Sequence, residues 1–139
     1  MDKDLIQINE IVAKFFSSFT NKDNKIPEVS ALYKICINEI LIIYRTDKHY
    51  TSYTLDSFTS SRWKILTEGA LTEFEEYEII HETNIGTNIA HRYSHYQKSG
   101  IQAGDFFNQK GYKLFQFIKI EDEWRISSII WENEIRALH

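Results

Sequence analysis

Hydrophobic side chains recur every three to four residues at the start of the chain. One apolar stripe contains Leu5, Ile8, Val12, Phe15, Phe16 and Phe19. This spacing predicts an amphipathic helix whose start is capped by Asp2 or Asp4. The polar run 21–25 ends this helix, and Pro27 favours the first turn of a short second helix that reaches about Tyr33.

The pattern then changes twice before residue 70. The isoleucine-rich segment 34–44 favours a strand, although so short an apolar run also fits a helix. Segment 45–54 is polar and predicts a loop. A third helix begins at a cap supplied by Asp56 or Ser57 and ends at Gly69. Its buried side carries Phe58, Arg62, Ile65 and Leu66, with Trp63 at the edge of that side.

After Gly69 the chain reads as extended strands. The predicted strands cover 74–83, 88–97, 112–120 and 124–131, with a turn at 84–87 and a polar connection at 98–110. Helices followed by a meander of strands indicate the α+β class. We therefore expect one domain, 1–139, in which three N-terminal helices pack on a strongly curved antiparallel or mixed sheet.

The last two strands predict a hairpin with an apolar surface on both sides. If Asp122 and Glu123 form the turn, Ile120 pairs with Arg125. One face then carries Phe115, Phe117, Ile126, Ser128 and Ile130. The other carries Leu114, Gln116, Ile118, Ser127, Ile129 and Trp131. Because both faces are apolar, we expect a homodimer that covers the outer face through Gln116, Ile118, Ile129 and Trp131.

Composition and charge exclude several classes of function. Aromatic residues make up 14% of the 139 residues, which favours sheet structure and an aromatic cavity. The net charge is −4 and the basic residues are scattered, so no nucleic-acid partner is predicted. Cys36 is the only cysteine and reads as a buried apolar residue. No signal peptide or membrane span is predicted, which indicates a cytoplasmic protein without a membrane partner.

The order of several short motifs along the second half of the chain resembles a known superfamily. The motifs are residues 89–96 (IAHRYSHY), Gly111 with Gln116, Trp124-Arg125-Ile126, and Trp131-Glu132. Together they resemble the nuclear transport factor 2-like superfamily, in its bacterial SnoaL-like branch. The resemblance implies a cone of bent sheet around a long first helix, with a pocket at the open end and pairing of subunits through sheet faces. It implies little about chemistry, because the superfamily includes cyclases, isomerases, dehydratases, epoxide hydrolases and members with no known activity.

The densest group of polar side chains lies on the strand 88–97. One face of this strand carries His91, Tyr93 and His95, and the other carries Arg92, Ser94 and Tyr96. His91 and His95 would be about 13 Å apart on a strand, too far to share one metal ion. The small side chain of Ala90 favours an inward Arg92 face, but the pattern leaves the choice open. An ion pair between Arg92 and Glu76 or Glu78 is the simpler reading, and ligand binding by Arg92 is the alternative.

A pocket is predicted from these residues and from nearby aromatic positions. The candidates are Trp63, Arg92, Ser94, Tyr96, Phe115 and Phe117, with His91 and Tyr44 in second place. No catalytic residue, metal or cofactor is assigned, since no histidine–aspartate pair of the enzymatic members is found. The acidic residues of strand 74–83, including Glu76, Glu78 and Glu82, are expected to form a solvated edge.

Two functions from different classes remain open. The first is a pocket for a small apolar or weakly anionic ligand, with isomerisation, dehydration or cyclisation as its chemistry if it is an enzyme. The second is a noncatalytic module for dimerisation or partner binding. An open cone favours the first, and a cone filled by Phe15, Phe16 and Phe19 favours the second.

Overall fold

A six-stranded sheet and three α-helices make up the structure, a computed structural model that describes residues 2–135. The helices are α1 (Lys3–Ser17), α2 (Leu32–Ile35) and α3 (Leu55–Thr67), and 3-10 turns cover Lys22–Asn24 and Val29–Ala31. The strands are β1 (Cys36–Arg45), β2 (Tyr50–Tyr53), β3 (Leu71–Ile85), β4 (Ile89–Gln102), β5 (Asp105–Ile120) and β6 (Glu123–Asn133). Their order in the sheet is β2-β1-β6-β5-β4-β3.

The α+β prediction is confirmed, and the sheet is mixed and curved. β1 runs parallel to β6, while all other neighbouring strands are antiparallel. The element order agrees with the expectation, since α1 and α2 precede the first strand and α3 follows it. The structure adds β2 between β1 and α3.

Local side chains determine where the long helices begin. The Asp2 carboxylate accepts a hydrogen bond from the Asp4 amide at 2.9 Å and caps α1. At α3 the cap is Thr54, which forms a reciprocal capping box with Ser57. The prediction that Asp56 or Ser57 is the N-cap is therefore wrong by two or three positions. The Asp56 carboxylate instead accepts the Tyr33 hydroxyl.

Two predicted loops are strand pairs in the structure. Segment 45–54 contains β2, which pairs with β1. Segment 98–110 is the end of β4, a tight turn and the start of β5. At this turn Ala103 and Gly104 have φ values of 53° and 83°, a left-handed pair that suits a two-residue hairpin. The prediction missed the turn because only one of these residues is glycine.

The predicted register of the last hairpin is wrong for a similar reason. Glu121 and Asp122 form the turn with φ values of 51° and 68°, so Ile118 pairs with Arg125. A β-bulge at Ser127 then shifts the alternation of β6. As a result Ile129 and Trp131 point into the core, with exposed fractions of 1% and 6%, and cannot form an outer contact. Gln116 is exposed and Ile118 half-buried, as expected for outward positions.

The core lies between the inner face of the sheet and the helices. α1 packs against β3 and β6, and α3 packs against β1 and β3. Phe15 of α1 contacts Phe115 of β5 edge-to-face, with 5.3 Å between ring centroids. This arrangement leaves space beside α3, where the cavity described next is found.

Candidate functional site

A partly open cavity of about 320 Å³ lies between the C-terminal half of α1, the inner side of α3 and the sheet. Its apolar walls include Phe15, Phe19, Phe58, Ile65, Leu66, Leu71, Phe74, Phe107 and Trp131. Its charged lining consists of Arg62, Glu76, Lys98 and Lys113. We call this space the cationic cavity, because three positive side chains face one carboxylate in it.

Lys113 is the most unusual residue of the cationic cavity. Its side chain is buried, and its Nζ lies 3.5 Å from Oε2 of Glu76 on β3. The ammonium group also lies 4.2 Å from the centre of the Tyr96 ring and 4.9 Å from the Trp131 ring. Burial lowers the pKa of Lys113 to about 8, and Glu76 only partly offsets this effect.

Arg62 and Lys98 place two further positive charges at the same cavity. The Arg62 guanidinium lies over Phe58, with 4.6 Å from Cζ to the ring centre, and 6.0 Å from the Trp131 ring. Lys98 is half-buried, and burial lowers its pKa. Within residues 2–135 neither side chain has a carboxylate within 4.0 Å. The cavity is therefore positive, although the whole protein carries a net charge of −4.

An aromatic wall and a small polar group complete the lining. The rings of Tyr44 and Trp131 stack at 5.1 Å with an interplanar angle of 9°. Asn133 donates a hydrogen bond from Nδ2 to the Tyr44 hydroxyl at 3.0 Å. Tyr44, named in second place from the sequence, thus lies on the cavity wall.

Arg92 and Ser94 face inward, but they lie under α1 and not in the cationic cavity. Arg92 forms an ion pair with Glu78 and donates to Asn9 Oδ1 at 2.6 Å. Ser94 donates to Glu78 Oε2 at 2.7 Å. These bonds use the polar atoms that the pocket prediction assigned to a ligand, and they match the alternative reading of Arg92 as a structural ion pair.

The remaining pocket candidates also lie elsewhere. Trp63 is on the outer side of α3 and is 48% exposed. Tyr96 is fully buried behind Lys113, and its hydroxyl donates towards the Glu132 carbonyl at 3.3 Å. Phe115 is a core residue. Phe117 and His91 border a second depression of about 490 Å³, whose lining contains no Asp, Glu, Lys or Arg.

Sequence reasoning missed the importance of Lys113 and Glu76. Lys113 shares its strand face with Phe115 and Phe117, so the two-residue period already placed it inward. Glu76 is likewise buried on β3, although the acidic strand was expected to be solvated. The expectation holds for the position of β3, which is an edge strand of the sheet. Among residues 2–135, no group of three metal-ligating side chains was found, and no helix has the length and apolar character needed to cross a membrane.

Comparison with known proteins places the fold. No protein-family model matches the chain, and no curated protein matches it by sequence. Solved structures do match. One is a nuclear transport factor 2-like superfamily protein from Salmonella enterica serovar Typhimurium, with 9% identity, a TM-score of 0.75, and coverage of 98% of this chain and 96% of that one.

Two further neighbours are proteins of unknown function. A nuclear transport factor 2-like protein from Silicibacter pomeroyi has 14% identity and a TM-score of 0.64, with 95% of this chain and 97% of that chain covered. A protein with a cystatin-like fold from Nostoc punctiforme has 12% identity and a TM-score of 0.71, with 96% and 93% covered. The protein thus has the nuclear transport factor 2-like, cystatin-like fold, as the resemblance implied. Assignment to the SnoaL-like branch stays a prediction.

Proposed function

We propose that the protein binds a small, mostly apolar organic anion, such as a carboxylate, in the cationic cavity. The observation that carries this proposal is the excess of positive charge inside an aromatic cavity: Arg62, Lys98 and Lys113 against Glu76 alone. Removing positive side chains from water is costly unless an anion compensates them. A carboxylate that accepts charge-assisted hydrogen bonds from Arg62 or Lys98 would provide this compensation.

The size and the walls of the cavity limit the ligand. Its volume of about 320 Å³ is at the lower end of the range of ~300–1,000 Å³ for ligand pockets. The rings of Tyr44 and Trp131 stack with 5.1 Å between their centroids and offer a flat apolar surface. An aromatic or short aliphatic body with one anionic group fits both features. Isomerisation, dehydration or cyclisation on such a ligand remains within the proposal, with Lys113 and Glu76 as the only buried acid–base pair that lines the cavity.

A titration of matched ligands tests the proposal. Phenylacetate and its neutral amide, phenylacetamide, have nearly the same shape and differ in charge. Binding is followed by calorimetry and by tryptophan fluorescence, to which Trp131 of the cavity wall contributes. We expect phenylacetate to bind and the amide to bind at least tenfold more weakly. Equal affinity of the two compounds, or no binding by either at millimolar concentration, would overturn the proposal.

Two variants locate the binding site. Arg62→Met and Lys98→Met should each weaken phenylacetate binding by about tenfold or more, since hydrogen bonds to charged groups contribute ~1.5–3 kcal/mol. The matched control is Lys64→Met, which removes a positive charge from an exposed position of the same helix as Arg62. If Lys64→Met weakens binding as much as Arg62→Met, the effect is one of overall charge and the site assignment is wrong.

A specific observation also supports self-association through the outer face of the sheet. Ile43, Ile130, Leu114 and Tyr93 are register partners across β1, β6, β5 and β4. This outer row, as we call these four residues, is exposed or half-exposed along its length. An apolar row four strands wide is typical of a surface that a second subunit covers. We propose a homodimer formed by two outer rows.

A further inference from the structure

Lys113 differs from an ordinary buried ion pair. Arg92, a comparable buried cation of the same sheet, donates three hydrogen bonds, two to Glu78 and one to Asn9. The only ion-pair partner of Lys113 within residues 2–135 is Glu76, at 3.5 Å. This single carboxylate and the aromatic rings around the ammonium offset only part of its desolvation, so Lys113 is a weak stabilising element. The position of Lys113 is therefore better explained by a reaction than by stability.

The surroundings of Lys113 are those of a reactive amine. Lys113 lines the cationic cavity, and its Nζ lies against the rings of Tyr96 and Trp131. Burial and the nearby charges of Lys98 and Arg62 lower the pKa of Lys113 to about 8. A desolvated lysine beside other cations is the arrangement that favours a neutral, nucleophilic amine. Lys113 thus has both access to a ligand and a fraction of the unprotonated form near neutral pH.

We propose that Lys113 forms an imine with a carbonyl group of the cavity ligand, so that the ligand is an aldehyde or ketone that also carries a carboxylate. This inference rests on the proposed function, since the carboxylate is held by Arg62 or Lys98. Arg62 and Lys113 lie at 6.0 Å and 4.9 Å from the same Trp131 ring, so one small molecule can contact both.

The step is balanced with groups that the cavity holds. The lone pair of the Lys113 Nζ attacks the carbonyl carbon, and the C=O π electrons move to oxygen. Glu76, at 3.5 Å from Nζ, takes one proton from the nitrogen and gives it to the oxygen, which produces a carbinolamine. Glu76 then takes the second proton from the nitrogen and gives it to the hydroxyl, which leaves as water while nitrogen and carbon form the C=N bond. Both protons of the amine thus end on the water molecule, and the Glu76 carboxylate is regenerated.

Reductive trapping tests the inference. The probe is 4-formylbenzoate in the presence of cyanoborohydride, which reduces the imine to a stable secondary amine. Peptide mapping by mass spectrometry then reports the rate of modification at each lysine. We expect Lys113 to be modified at least tenfold faster than exposed Lys48. We also expect 4-(hydroxymethyl)benzoate, which has no aldehyde group, to protect Lys113 by competition.

Variants test whether trapping in the cavity depends on Lys113. Lys113→Arg keeps the positive charge next to Glu76 and should abolish trapping in the cavity while noncovalent binding of 4-(hydroxymethyl)benzoate remains. Lys48→Arg, at an exposed position outside the cavity, should leave the trapping rate at position 113 within about twofold. If Lys113→Arg fails to fold, the mapping of the unaltered protein still decides the question. If Lys98 is modified faster than Lys113, the assignment of the reactive amine to Lys113 is wrong.

The outcomes distinguish the two proposals. Binding of both benzoates without selective modification of Lys113 overturns the imine and keeps the anion site. Selective modification of Lys113 that is equally fast with benzaldehyde supports the imine and overturns the role of the carboxylate. Failure of both benzoates to bind, with uniform modification of all lysines, overturns both.

Discussion

Arg92 and Glu78 form a buried bidentate ion pair between β4 and β3. Nε of Arg92 donates to Oε2 of Glu78 at 3.0 Å, and Nη2 pairs with Oε1 of the same carboxylate. Asn9 of α1 accepts from Nη1 at 2.6 Å, so the pair also attaches the first helix to the sheet. The pair is therefore a structural link between helix and sheet.

Replacement of this arginine should destabilise the fold. Arg92→Ala leaves the Glu78 carboxylate without its cation in a largely buried position, which costs ~3–5 kcal/mol for a broken buried pair. Urea unfolding followed by circular dichroism measures the loss. Arg125→Ala, which removes a partly exposed arginine paired with exposed Glu123, serves as the control and should cost much less. Wild-type stability of Arg92→Ala with lost phenylacetate binding would instead make Arg92 a ligand-binding residue.

Gly111 is required by its contact with Tyr96. A Cβ atom at position 111 would lie 2.4 Å from the Tyr96 hydroxyl oxygen and 2.5 Å from the Glu132 carbonyl oxygen. Gly111→Ala should therefore destabilise the protein by ~1–3 kcal/mol, as overpacking does in cores. Thermal and urea unfolding measure this cost.

A second variant identifies the source of this cost. Tyr96→Phe combined with Gly111→Ala removes the hydroxyl but leaves the Glu132 carbonyl in place. We expect the double variant to remain destabilised relative to Tyr96→Phe alone. Full recovery of stability in the double variant would show that only the hydroxyl excludes a side chain at position 111.

The lowered pKa of Lys113 should appear in the pH dependence of stability. The folded protein releases this proton near pH 8, whereas a lysine in the unfolded chain does so near its ordinary value of 10.5. Between these values the unfolded state binds more protons, so this group makes the free energy of unfolding rise with pH. A pKa lowered by this amount corresponds to a gain on the order of 3 kcal/mol.

A variant without the charged pair isolates the effect of Lys113. In Lys113→Met combined with Glu76→Gln neither member of the buried pair titrates, and Lys98 is the remaining lysine of the cavity lining. Urea unfolding from about pH 7 to 10.5 should show the wild type gaining stability relative to this variant. Parallel curves for the two proteins would mean that Lys113 titrates at its ordinary pKa.

Much of the fold follows from the periodicity of the sequence. The errors of the prediction come from a few backbone positions. The three-and-four spacing of Ile8, Val12 and Phe15 gave α1, and Ala90 correctly indicated the buried face of β4. The turns at 103–104 and 121–122 have left-handed backbone at Ala103, Glu121 and Asp122. Alanine and glutamate rarely adopt this conformation, so the residue types at these positions do not predict turns.

The candidate site was harder to predict because it contradicts residue-type expectations. Lysine and glutamate are almost never fully buried unless paired, so Glu76 was expected on a solvated edge and Lys113 was not among the candidates. The pairing depends on β3 and β5 both flanking β4, which local patterns do not reveal. Arg92, in contrast, lies on the inner face that Ala90 favoured, although the pattern left the face open, and its partner Glu78 could be chosen only from the structure.

The Cys36 thiol should be unreactive towards thiol reagents in the folded protein. Its side chain is 3% exposed, and burial raises the pKa of the thiol to about 12. Because the thiolate is the reacting form, Ellman's reagent should react negligibly at about pH 8 in native buffer. In denaturing guanidinium chloride the same reagent should titrate one thiol per chain. Rapid stoichiometric reaction of the native protein would contradict the buried position at the start of β1.

The outer row predicts how single substitutions change the oligomeric state. Leu114 is 45% exposed and lies between Tyr93 and Ile130 in register, so Leu114→Lys places a charge in the proposed dimer contact. We expect light scattering to give a dimer for the wild type and a monomer for Leu114→Lys, with unchanged circular dichroism. Glu10→Lys, at an exposed position of α1, is the control and should remain dimeric.

Trp131 provides the opposite case, because the bulge of β6 turns it into the core. It packs on Phe58 at 5.7 Å and stacks on Tyr44, and it is only 6% exposed. Trp131→Arg should therefore unfold the protein, while Leu114→Lys should only separate the subunits, since a charge is tolerated on a solvated face but not in an apolar core. Circular dichroism and light scattering on the same samples distinguish these results. A folded monomer from Trp131→Arg, or a wild-type protein that is already monomeric at micromolar concentration, would rule out the outer row as the contact between subunits.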